Sequence, residues 1–144
     1  MFQITSAAAA LAGAITVIAQ SAALPANCDR SYTVKLGDTC DIISATQNVS
    51  TYQLAAVNTG IIDPECANLY EGELICLGIT GQDCNVTYVM QSGDTCSSIA
   101  AAAGIPVSTF LTNNPNVNPI CTNIYPDEVF CTASQIYVNL TSTE

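Results

Sequence analysis

Alternating apolar and polar residues open and close two similar segments of the chain. Residues 32–36 alternate in this way ahead of a Gly-Asp pair, which is typical of a short strand followed by a turn, and residues 87–91 repeat the pattern. Apolar residues at 73–77 and 128–132 predict a second strand that closes each segment. An antiparallel pairing of first and last strand is expected in each segment.

Two helices are predicted between the strands of each segment. The Asp-Thr pairs at 38–39 and 94–95 can accept hydrogen bonds from the free backbone amides of a helix that begins there. Segment 50–57 starts with hydroxyl residues, and segment 107–111 follows Pro106, which suits the first turn of a helix. Each segment is therefore predicted to run strand, helix, helix, strand, and the fold class is α+β.

The cysteines show that the two segments are repeats. They lie at 28, 40, 66 and 76 and then at 84, 96, 121 and 131, so the second set follows by 56, 56, 55 and 55 residues. One deletion relates the two halves. The spacing predicts two tandem βααβ domains over 28–77 and 84–132, with a linker over 78–83 and a C-terminal tail over 133–144.

Disulfides are the expected use of these cysteines, because a domain of about 50 residues buries too little apolar surface to fold securely. In the chain-entropy model the longer bridges would each contribute roughly 4 kcal/mol. A four-cysteine metal site is the alternative, but no Cys-x-x-Cys pair and no histidine are present. Antiparallel strands favour the pairs Cys28–Cys76, Cys40–Cys66, Cys84–Cys131 and Cys96–Cys121, although eight cysteines allow 105 connectivities.

The first 23 residues carry no charged side chain, are apolar from Ala7 to Ala19 apart from two positions, and end in small residues. This pattern predicts a secretory signal peptide over 1–23, cleaved near Ala23. A membrane anchor is the alternative, but the apolar run is short for a bilayer span of about 20 residues. We expect a secreted protein without a membrane segment after cleavage.

The net charge of the chain argues against nucleic acid as a partner. Two basic residues, Arg30 and Lys35, stand against twelve acidic ones, for a net charge of −10. Such a surface repels phosphate backbones and anionic lipids, so no nucleic acid partner is expected. N-linked glycosylation is predicted at the three Asn-x-Ser/Thr sequons, which begin at Asn48, Asn85 and Asn139.

The motif Tyr-x-Val-x-x-Gly-Asp-Thr-Cys-x-x-Ile at 32–43, together with Asn-Pro-Asn-Val at 114–117, resembles the LysM module in the four-cysteine form of fungal secreted effectors. The resemblance extends from Cys28 to Cys131. Repeat one departs from it with Asn-Thr-Gly at 58–60 in place of Asn-Pro. Repeat two has Met90 for Val and Asp127 for the glycine seen at Gly72, and the chain contains no tryptophan.

The resemblance implies a shallow groove for N-acetylglucosamine oligomers between the loop after the first strand and the loop before the last. The implied groove residues are Gly37, Asp38, Thr39, Thr59, Gly60, Ile61 and Ile62 in repeat one and Gly93, Asp94, Thr95, Pro115, Asn116, Val117 and Asn118 in repeat two. Backbone amides would meet the acetamido group, and Ile61 and Val117 would receive its methyl. For both aspartates, helix capping is favoured over ligand contact. Tyr70 and Tyr125 are expected to cover the core or a disulfide rather than to stack on sugar.

By resemblance, the function is non-catalytic binding of chitin fragments by a secreted effector, which sequesters them or shields the fungal wall, with no cofactor and no metal. The two modules would grip one oligomer together, or a long oligomer would bridge two molecules. A structural wall protein and a disulfide-rich inhibitor of a host hydrolase are the alternatives. A glycosidase with paired carboxylates is disfavoured, because the acids cluster in caps and strand edges.

Overall fold

The computed structural model describes residues 23–138, and each half has the predicted order strand, helix, helix, strand. The predicted leader, apart from Ala23, and the sequon at Asn139 lie outside this range. In that range no helix is long and apolar enough to cross a membrane. Module 1 consists of β1 (Cys28–Thr33), α1 (Cys40–Gln47), α2 (Thr51–Val57) and β2 (Leu74–Ile79), and module 2 of β3 (Thr87–Val89), α3 (Cys96–Ala103), α4 (Val107–Asn113) and β4 (Val129–Cys131).

Each module contains one antiparallel pair of strands, as predicted, with Tyr32 opposite Ile75 and Tyr88 opposite Phe130. The strand bounds differ from the expectation in module 1. β1 begins at Cys28 and ends at Thr33, and β2 continues to Ile79, inside the predicted linker. The chain before β1 sustains this extension, because Thr80 N donates to Asn27 O at 2.9 Å.

Each module has its own main apolar core. Module 2 centres on Phe110 and Phe130, whose rings meet edge to face at 5.2 Å. Module 1 has smaller aliphatic residues around the fully buried Ile43, Val49 and Ile75. Cores of this size need cross-links. The four disulfides in the structure are the pairs that the strand geometry favours, Cys28–Cys76, Cys40–Cys66, Cys84–Cys131 and Cys96–Cys121.

A polar network joins the two modules at the linker. Arg30 Nε and Nη2 donate to the two carboxylate oxygens of Asp83 at 2.7 and 2.6 Å. Gln53 Nε2 donates to Asp83 Oδ1 at 2.9 Å, and Gln53 Oε1 accepts from Cys84 N at 2.9 Å. Burial raises the pKa of Asp83, but the hydrogen bonds from Arg30 and Gln53 outweigh it and hold that pKa below its ordinary value. One basic side chain thus anchors the start of module 2 to module 1.

A fully buried asparagine ties the second helix to the last strand in both modules. Asn58 Nδ2 donates to Leu54 O at 2.7 Å and to Cys76 O at 2.6 Å, and its Oδ1 accepts from Cys76 N at 2.9 Å. In module 2, Asn114 Nδ2 donates to Phe110 O and to Cys131 O, both at 2.8 Å, and its Oδ1 accepts from Cys131 N at 2.9 Å. The two carboxamides are equivalent members of the repeat.

We expect Asn58→Ala and Asn114→Ala each to lower the free energy of unfolding by about 2 kcal/mol or more, because buried backbone groups lose their partners. Denaturant titration of the oxidised, unglycosylated protein measures this. The control is Asn85→Ala at an exposed position, for which the change should stay within about 0.5 kcal/mol. Equal effects of the buried and exposed substitutions would contradict the assigned role.

Candidate functional site

The loop after β1 forms a tight turn that Asp38 holds closed. Asp38 Oδ2 accepts hydrogen bonds from the Tyr32 hydroxyl at 2.7 Å and from Lys35 N at 2.8 Å. The first of these bonds raises the pKa of Tyr32. Gly37 has a φ of 87°, a conformation that L side chains rarely adopt. Thr39 caps α1 by accepting from Ile42 N at 3.2 Å. The prediction that Asp38 caps the helix is therefore wrong, while capping by Thr39 is confirmed.

Module 2 repeats this turn. Asp94 Oδ2 accepts from the Tyr88 hydroxyl at 2.6 Å and from Gln91 N at 2.9 Å, and the tyrosine bond lowers the pKa of Asp94. Thr95 caps α3 through a reciprocal capping box with Ser98. Ser98 N donates to Thr95 Oγ1 at 3.0 Å, and Thr95 N donates to Ser98 Oγ at 2.9 Å. The predicted capping by Asp94 is also wrong, because its carboxylate is already engaged within the turn.

The loop before the last strand folds onto Asn58 in module 1. Ile61 N and Ile62 N donate to Asn58 O at 2.9 and 3.0 Å. Asn68 then clamps the loop, because its Nδ2 donates to Ile61 O and its Oδ1 accepts from Asp63 N, both at 2.9 Å. The loop is therefore fixed by bonds within the protein.

Asn123 clamps the corresponding loop of module 2. Its Nδ2 donates to Asn116 O at 2.8 Å and its Oδ1 accepts from Asn118 N at 2.9 Å, while Val117 N donates to Asn114 O at 2.9 Å. The repeated motif Cys-x-Asn at 66–68 and 121–123 is the sequence signal for these clamps. The motif alone does not show this role, because the clamped backbone groups lie 5 and 7 residues away from Asn68.

The clamps place the one-residue deletion inside the loop. By hydrogen bonding, Ile61 corresponds to Asn116 and Ile62 to Val117, whereas the sequence comparison matched Ile61 with Val117. The side chains of Ile62 and Val117 are both only 6% exposed and belong to the cores. The exposed surface of the two loops is supplied by Thr59, Gly60, Pro115 and Asn116.

A cavity of 330 Å³ lies beside the module 1 loops and brings Thr39 and Ile62 together with Tyr125 of module 2. The Tyr125 hydroxyl donates to Asp41 Oδ1 at 3.3 Å. Tyr70, the equivalent residue of module 1, is 56% exposed. The expectation that these two tyrosines cover the core or a disulfide is therefore wrong for Tyr70, and it misses the contact of Tyr125 with module 1. No sequence signal separates the two, because the difference arises from packing between modules.

The sequence model of the LysM domain family matches residues 32–78 and 88–132, the parts of the chain that carry both turns and both clamped loops. The chain belongs to the LysM domain family. Similar LysM proteins include the non-secreted LysM effector LCP1 of Gibberella moniliformis, 33% identical over 76% of this chain and 14% of that protein. The secreted LysM effector ldpB of Aspergillus fumigatus is 32% identical over 75% of this chain and 43% of its own length.

The secreted LysM effector LysM1 of Trichophyton rubrum is 29% identical over 75% of this chain and 52% of that protein. The chain thus spans about half or less of the length of these relatives. Among solved structures, the LysM domain of Pteris ryukyuensis chitinase A is 38% identical over 33% of this chain and 96% of that domain, with a TM-score of 0.30.

Two of the three sequons of this LysM chain lie within the described residues. Asn48 and Asn85 are both exposed, and Asn48 lies at the C-terminal end of α1 with a φ of 52°. Between residues 23 and 138, no group of three or more His, Cys, Asp or Glu side chains could hold a metal ion.

A buried carboxyl group lies against the loop before β4 in the second LysM module. Glu128 is 3% exposed and accepts from Asn116 Nδ2 at 2.9 Å and from Tyr125 N at 3.2 Å. Burial, reinforced by the charge of Asp41, raises the pKa of Glu128 to about 7. Burial together with the charges of Asp41 and Glu128 raises the pKa of Tyr125 to about 12. The Asp41 charge from module 1 therefore disfavours the charged forms of both side chains.

We expect Glu128 to make stability fall as pH rises. Its folded-state pKa lies near 7, above the ordinary value of 4.5, so between these values the folded chain binds the extra proton. The stability that Glu128 gains from this proton is thus lost progressively between about pH 4.5 and 7, and above pH 7 its effect on stability no longer changes. Glu128→Gln should raise stability relative to the wild type at pH 8 more than at pH 4.5.

Urea midpoints across this pH range measure the difference between variant and wild type. The matched control is Glu73→Gln in module 1, where the carboxylate accepts from Tyr70 N at 3.4 Å. A Glu128→Gln difference that does not change with pH would overturn the assignment.

Proposed function

We propose that the chain binds N-acetylglucosamine oligomers without catalysis, through the groove between the two loops of each LysM module. The observation that carries this proposal is the repeated loop pair, closed by Asp38 or Asp94 on one side and clamped by Asn68 or Asn123 on the other. The names of the relatives, all LysM effectors, support a role as an effector.

The exposed chemistry of the loops suits an uncharged, acetylated sugar. Gly37 and Gly60 leave backbone open to close approach, because a Cβ on either would meet no atom within 4 Å. Both aspartates already accept two bonds within their turns. Recognition would therefore fall to backbone amides and to neutral side chains such as Thr59 and Asn116.

The proposed setting is extracellular. The predicted leader over 1–23, the four disulfides and the relatives named as secreted effectors all support secretion into an oxidising compartment. There the protein would sequester chitin fragments or shield a fungal wall. With the modules joined through Arg30 and Asp83, one oligomer would engage both grooves, and bridging of two molecules by a long oligomer is the alternative mode.

Calorimetric titration of the glycan-free protein with N-acetylglucosamine oligomers of increasing length tests the proposal. Heat should grow with length and should be absent with cello-oligosaccharides of the same lengths, which lack the acetamido group. Sedimentation of the saturated protein separates a single complex from a ligand-bridged dimer. The proposed specificity would be contradicted if both sugars gave the same heat, or if neither sugar gave any. Retention on polymeric chitin without oligomer binding would favour the structural wall protein.

A further inference from the structure

We propose that the cleft between the two modules is an additional saccharide subsite, which receives the part of an N-acetylglucosamine oligomer that extends beyond the module 1 groove. The cleft has a volume of 710 Å³ and is lined from both modules, by α2 on one side and by the segment after β4 on the other. The inference rests on the proposed function of that groove.

The lining of the cleft is neutral in a strongly acidic protein. The chain has a net charge of −10, yet none of the cleft-lining residues within 23–138 is Asp, Glu, Lys or Arg. Half-buried Tyr52 and Tyr137 contribute rings, and Asn27 and Gln82 contribute carboxamides. Rings that cover the apolar face of a sugar, with carboxamides for its hydroxyl groups, are suited to an uncharged saccharide.

The walls of the cleft are held in place before any ligand arrives. Asn113 Oδ1 accepts from Tyr137 N at 2.8 Å, and Asn113 Nδ2 donates to Gln135 O at 2.8 Å. On the opposite wall, Gln53 Nε2 donates to Leu77 O at 2.8 Å and its Oε1 accepts from Cys84 N at 2.9 Å. Such preorganisation lowers the entropic cost of binding.

The cleft connects with the proposed groove of module 1 through Thr59. This residue is exposed in the loop before β2 and also lines the cleft. A saccharide bound at that loop can therefore continue toward Tyr52 and Tyr137. The cleft would contribute to binding only for oligomers longer than the groove itself accommodates.

Fluorine NMR of fluorotyrosine-labelled protein distinguishes the two sites in one titration. Tyr32 and Tyr88, which bond to the groove aspartates, report on the grooves, whereas Tyr52 and Tyr137 report on the cleft. Tyr70 serves as an exposed control. Single Tyr→Phe variants assign the signals. The Asn139→Gln background removes the sequon next to Val138, so that no attached glycan competes for the cleft.

With long N-acetylglucosamine oligomers, the Tyr52 and Tyr137 signals should shift together with those of Tyr32 and Tyr88, and with short ones only the groove signals should shift. Groove signals that move alone at every length would overturn the inference and leave the proposed function intact. Cleft signals that move alone would reject the grooves as the entry site and also overturn the proposed continuity. No shift at any tyrosine would reject both.

Matched alanine variants provide a second readout. Tyr52→Ala and Tyr137→Ala should weaken binding of long oligomers about three- to tenfold and leave short oligomers unchanged, because a ring contact is lost only where the chain reaches the cleft. Tyr70→Ala should change neither. Equal weakening for short and long oligomers would indicate a general structural effect and contradict the subsite.

Discussion

In each module, one buried asparagine joins the second helix, the last strand and the loop that precedes this strand. The side-chain carboxamide of Asn58 forms hydrogen bonds with three backbone groups. The backbone carbonyl of Asn58 accepts from two further amides, in the loop before β2. Asn114 repeats the carboxamide bonds. A module with so small a core cannot position a loop by apolar packing alone, since little apolar surface is available. Directional bonds to a fully buried amide therefore fix the loop, and the disulfides limit how far the rest of the chain can move.

The two modules share a motif but occupy different environments. Tyr70 and Tyr125 are 56% and 42% exposed, and Tyr125 also donates to Asp41 across the interface. Burial, reinforced by the charge of Asp41 from module 1, likewise raises the pKa of Glu128. An internal repeat therefore produces unlike sites once its copies pack against each other. Thr39 and Ile62 of module 1 share a cavity with Tyr125 of module 2, whereas Asn116 in the corresponding loop of module 2 donates to the buried Glu128.

Much of the architecture follows from the sequence. Strand alternation, hydroxyl caps and cysteine spacing were sufficient to predict the order of elements and the antiparallel strand pairs, because these depend on local chemistry and on the repeat. The role of Asn58 was not predicted, since its three partners lie 4 and 18 residues away and come together only in the fold. The match between the two loops was one residue out of register from Ile61 onward, because short loops offer few landmarks apart from the Asn68 and Asn123 clamps.

The central claim is that the clamped loops are the carbohydrate-binding surface. The most direct test is a map of backbone amide shifts on nitrogen-labelled protein titrated with an N-acetylglucosamine tetramer. We expect the largest changes at 37–39 and 59–62 in module 1 and at 93–95 and 115–118 in module 2, with none when cellotetraose is added. Amides that stay unchanged in all four segments, or that respond equally to both sugars, would contradict it.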